Sequence, residues 1–152
     1  MNADNNSSTS SRIVTLLIAG TLSKQYIWTE VKDENQINRC LEELGPSSRL
    51  VGKIFSLVLS DMHLRILRYR DYVQLRTKDN SSLNTSEGSL LVVSSEECRY
   101  ILEFYDPADY SSQLVLQPSN SVRDLYDIIM KMVFPVNDFL KTLEELAVKA
   151  KD

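Results

Sequence analysis

One histidine, two cysteines and four glycines are thinly spread over 152 residues, and each scarcity removes a class of chemistry. Serine or cysteine nucleophiles need a nearby base, and His63 is the only imidazole, set in a strand-like stretch with no triad spacing around it. Cys40 and Cys98 stand 58 positions apart, too few and too far for a disulfide framework or a recurrent metal-ligand pair. Gly20, Gly45, Gly52 and Gly88 are isolated, so no phosphate-cradling loop of the Walker or dinucleotide type can be written. No catalytic, cofactor-binding or metal-binding residue is therefore assigned, and the chain reads as a non-enzyme.

Long hydrophobic runs are missing as well. The longest, Ile13 to Leu22, falls short of the roughly 18 to 20 residues that span a bilayer. The first eleven residues lack the basic-then-apolar layout of a signal peptide, which with so few cysteines implies an intracellular protein of the cytoplasm or nucleus. Charge is also unexceptional: 17 basic against 21 acidic residues give a net of -4, which argues against wholesale nucleic-acid binding.

What is present suits one domain with a real core. A length of 152 residues with 43% hydrophobic and 25% charged content is that of an ordinary globular unit. Residues 1–11, nearly all polar, read as a disordered tail preceding a domain at 12–152. Ile13 to Gly20 is dense in β-branched and aliphatic residues and reads as a strand, with a partner around Gln25 to Val31. Asp33 precedes Gln36 at capping-box spacing, and Ile37, Cys40, Leu41 and Leu44 follow helical intervals up to Gly45-Pro46, predicting a short helix. Alternation then returns in Leu50 to Leu59 and His63 to Tyr69 around a tight turn, with further strands at 72–76, 90–93, 98–105 and 113–116. The polar stretch 79–89 reads as a mobile loop.

The strongest periodicity lies at the C-terminal end. Val122, Leu125, Ile129, Met132, Val136, Phe139, Leu143, Leu146 and Ala150 alternate spacings of three and four, flanked by Tyr126, Val133, Leu140 and Ala147. The stripe predicts a long helix laid on the sheet, kinked before Pro135. The fold class is thus α+β: a single, mostly antiparallel sheet with a short early helix and a long C-terminal one. That element order is compatible with pleckstrin-homology-like barrels and with longin-like or profilin-like sheets, an analogy of order alone.

Two surfaces stand out as binding candidates. Before Pro135 nearly every side of the C-terminal helix carries apolar area, so Tyr126, Met130 and Phe134 are assigned to a protein interface. That makes the chain a non-catalytic interaction module, an adaptor or small subunit of an intracellular assembly, with a hetero-complex favoured over a homodimer. The alternative is a phosphate-ligand module. Residues 49–78 hold seven basic against two acidic residues, and Arg65, Arg68, Arg70, Arg76 and Lys78 could hold phosphates of nucleic acid or anionic lipid. Residues 87–110 hold six acids and one arginine, so these segments could instead pair across the sheet.

Overall fold

The computed structural model of the protein describes residues 3–76, 89–93, 97–117, 120–134 and 136–151. The expected loop at 79–89 lies outside them except for Ser89, which opens a strand. The elements run α1 (Ala3–Leu22), β1 (Thr29–Glu30), α2 (Glu34–Leu44), β2 (Ser48–Leu50), β3 (Phe55–Leu59), β4 (Met62–Arg76), β5 (Ser89–Val93), β6 (Arg99–Tyr105), β7 (Ser112–Val115), α3 (Asn120–Val133) and α4 (Val136–Lys151).

Every strand pairing is antiparallel, as the consecutive short strands predict. The main sheet follows the order β1-β3-β4-β6-β7, and β2 and β5 pair with the far half of β4. At fifteen residues β4 is the spine: Leu64 and Ile66 face β3 on one side and β6 on the other, while Tyr69 lies between Leu50 and Arg99. A two-residue turn at Ser60-Asp61, with Ser60 at φ 55°, closes the β3–β4 hairpin.

The β4 alternation divides the core in two. Leu64 and Ile66 join Phe55, Leu57 and Leu102 beneath Val14 and Leu17 of α1 and Val122, Leu125, Tyr126 and Ile129 of α3. Leu67, on the other face, meets Cys40 of α2 with Val31 and Ile54. The α2 boundaries match the sequence reading: Asp33 caps its first turn through Asn35 N–H at 2.8 Å, and Gly45 ends it at φ 89°.

The N-terminal segment departs from expectation. Where a disordered tail at 1–11 and then a strand were expected, one helix runs from Ala3 to Leu22. Ser10, Val14, Leu17 and Thr21 are buried along one side of it, spaced four, three and four apart, with Gly20 buried beside them. The helical period is thus carried partly by a serine and a threonine, and the β-branched density of Ile13 to Ile18 conceals it. Polar bonds hold the helix in place. Ser10 Oγ accepts from Gln117 N–H at 3.3 Å, and buried Thr21 Oγ1 accepts from Trp28 Nε1 at 3.0 Å. Gly20 lies under the Tyr26 ring, 2.2 Å from where a Cβ would stand, and only glycine permits that approach.

The expected long C-terminal helix is present as two consecutive helices separated around Pro135. α3 packs on α1 and β6. α4 does not share that burial, and every residue from Val136 to Ala150 is exposed.

Candidate interaction surface

The arginines of β4 are distributed by the strand's pleat, and Arg65, Arg68 and Arg70 each make an intramolecular contact. Arg65 is fully buried on the α2 face. Its Nε donates to Glu103 Oε1 at 2.6 Å, its Nη2 to Glu43 Oε2 at 3.1 Å and its Nη1 to the Tyr110 carbonyl at 2.8 Å. Glu103 is directly opposite Arg65 in the β4–β6 register, so the opposite charges of these two segments do pair across the sheet here. With its charge compensated and its surface closed, Arg65 cannot present a guanidinium to a phosphate, which corrects its assignment to a ligand face.

Arg68 points to the other face. It donates from Nε to the Val51 carbonyl at 3.2 Å and lies 5.0 Å from the Tyr126 ring centroid. Arg70 donates from Nε to Cys98 Sγ at 3.2 Å, and that bond holds the guanidinium's pKa above its ordinary value. Arg65 and Arg68 therefore lie on opposite faces of the sheet. The side chain of Arg76 and all of Lys78 lie outside the described residues.

The three residues assigned to an apolar interface also separate. Tyr126 is fully buried: its ring packs against Phe55 and Tyr100, and its hydroxyl donates to the Lys53 carbonyl at 2.8 Å. Burial pushes the phenol's pKa up, opposed by Arg68. Tyr126 is thus core, a correction to its placement on a binding surface. Met130 is half-buried against the same core. Phe134 alone opens to solvent, 37% exposed, with Lys53 Nζ 4.6 Å above its ring and held there by Glu30 at 2.8 Å.

Beside Phe134 the surface becomes apolar. A cleft of about 350 Å³ opens between the end of α1 and the end of α3, floored by Thr21, Trp28 and Ile129 and walled by Tyr26, Met132 and Val133. A second groove of about 440 Å³ lies at the α3–α4 elbow, lined by Phe134, Val136, Asp138, Phe139 and Thr142. From there α4 carries its apolar stripe into solvent: Phe139 is 64% exposed, Leu143 48% and Leu146 56%. The spacing of these residues is plain in the sequence. What it does not reveal is that α1 and α3 cover the sheet, so that among the described residues α4 from Val136 to Ala150 is left exposed.

The thiols differ in setting. Cys40 is buried and its pKa is pushed up to about 11, chiefly by desolvation, while Cys98 is half-buried beside Arg70. Among the described residues no cluster of His, Cys, Asp and Glu could hold a metal ion, and no helix is long and apolar enough to cross a membrane.

No protein-family model, curated protein or solved structure matches this chain.

Proposed function

We propose that the chain is a non-catalytic protein-interaction module, an adaptor or small subunit of a larger assembly, and that α4 is its binding element. One observation carries this reading: a sixteen-residue helix with Val136, Phe139, Leu140, Leu143 and Leu146 on it is exposed from Val136 to Ala150, while the core beneath α3 contains none of its residues. An apolar face of that kind usually marks a protein interface.

The test compares the full chain with the Leu143→Glu/Leu146→Glu variant in two measurements. Thermal unfolding should coincide, because neither residue enters the core. Protein chains that co-purify with the tagged wild type from its own cells should be lost from the variant. Retention of every partner, or a fall in unfolding temperature matching that of a core substitution, would overturn the reading.

A further inference from the structure

We infer that the open edge of β6 at Tyr100 is a second binding surface, one that takes an extended peptide segment as an added strand with an acidic residue of that segment seated on Arg123. This goes beyond the reading of α4, with which the edge shares no residue.

The direction of the β6 backbone follows from its register. In an antiparallel sheet the backbone groups of successive residues point alternately to the two neighbouring strands. Val51, just after β2, donates its N–H to the Arg68 carbonyl, so Arg68 turns away from β6 while Leu67 and Tyr69 turn toward it, opposite Ile101 and Arg99. Tyr100 therefore directs its N–H and carbonyl away from β4. The next residue of that set, Leu102, has its carbonyl taken by Leu116 N–H at 2.9 Å, and there the β7 side ends. The chain then leaves for α1, where Gln117 N–H meets Ser10 Oγ. Among the described residues no strand lies beside β6 at Tyr100.

An open strand edge offers hydrogen bonds that another extended backbone satisfies in register, and strand addition draws its affinity from them. The surface around Tyr100 has room for such a backbone. A groove of about 540 Å³ opens there, with Tyr69, Arg99 and Ile101 toward the α2 face of the sheet and Asn120 and Arg123 of α3 toward the other. Successive side chains of an added strand point to these two faces in turn.

Each face selects a different residue. Toward α2, Tyr69 and Ile101 are half-buried apolar neighbours, and Arg99 is already paired with Asp71 at 3.2 Å. Glu97, two residues before Arg99, also lines the groove and leaves that side with no positive excess. Toward α3 the charge is uncompensated. Arg123 is exposed and makes no hydrogen bond or ion pair among the described residues, not even with Asp127 four positions on, and α3 has no acid in its first turn. Arg70, on the same face of β4 as Arg68, is held near the groove by its bond to Cys98, another lining residue. The occupant is thus an extended segment in which an apolar residue adjoins an acidic one.

The experiment follows binding by fluorescence polarisation and backbone amide exchange by NMR, both on the full chain. Its probes are two pools of labelled, end-capped hexapeptides in which valine, isoleucine or tyrosine alternates with glutamate in one pool and with lysine in the other. The acidic pool should bind roughly 10-fold or more tightly than the lysine pool. At saturation it should slow exchange of the Tyr100 amide roughly 10-fold or more, while that of Ile101, which already faces β4, changes little. Arg123→Glu should reverse the preference between pools and leave thermal unfolding unchanged, since Arg123 has no partner to lose. The Leu143→Glu/Leu146→Glu variant should bind the pools as the wild type does, so that the two surfaces stand or fail separately. No binding of either pool at millimolar concentration, equal binding of both, or an unchanged Tyr100 amide overturns strand addition. So does a Tyr100 amide already protected in the free protein, because the chain itself or a second copy would then cover the edge. Complete displacement of the acidic pool by inorganic phosphate, with the Tyr100 amide unaffected, would leave an anion site only and overturn it as well.

Discussion

Arg65 is tolerated in the interior because three acceptors meet its guanidinium there, two of them carboxylates. Breaking such a pair from one side strands a buried charge at a cost of about 3–5 kcal/mol, whereas replacing both ions by apolar residues of similar volume is often neutral. Glu103→Gln should therefore lower urea-unfolding stability by that order, and the Arg65→Met/Glu103→Leu double variant should recover most of it. A double variant no better than the single one would show that the network contributes more than charge compensation. Cys40 supplies a pH signature. Burial raises the folded-state pKa to about 11 from 9.0, so the unfolded chain releases the proton first as pH rises. The thiol's contribution is fully present below pH 9 and is lost between 9 and 11, at about 1.4 kcal/mol per unit at most. Chemical denaturation across that range should show a shallower decline for Cys40→Ala than for the wild type.

Between elements, the difference between α3 and α4 is one of burial rather than composition. Ile129 is fully buried and Leu143 about half exposed, although both occupy the same apolar register of the sequence. Ile129→Ala should cost roughly 2–5 kcal/mol of unfolding free energy, the range for a deleted core side chain. Leu143→Ala, measured on the isolated chain, should stay within about 0.5 kcal/mol, as surface substitutions do. Equal losses would mean that α4 folds back onto the body. Sequence periodicity marked both helices and the break near Pro135, because spacing and proline chemistry are local. Which surface each helix would cover was not legible. That depends on α1, whose helical stripe includes Ser10 and Thr21 and whose Ile and Val content suggests a strand.

Across the whole molecule, the antiparallel sheet and α2 were legible for the same reason: alternation, turn residues and the Asp33 and Gly45 caps all act within a few positions. The binding residues were not. Arg65 and Tyr126 carry polar groups that suggest a surface, yet each finds its partners inside, Glu103 across the sheet and the Lys53 carbonyl beneath α3. Partners 38 and 73 positions away leave no local trace. The same division predicts a gradient of amide exchange. In the isolated chain the amides of β4 and α3 should exchange only with global opening, and those of α4 orders of magnitude faster. Protection of α4 that rises when a partner is added would report its association directly.

The packing of α1 against α3 sets a schedule for synthesis. Val14 and Leu17 emerge from the ribosome early, but their cover includes Val122, Leu125 and Ile129, more than a hundred residues later. At ~5–20 residues per second the first helix waits roughly 5 to 20 s for its counterpart. Through that interval its apolar side lacks the part of its cover that α3 supplies.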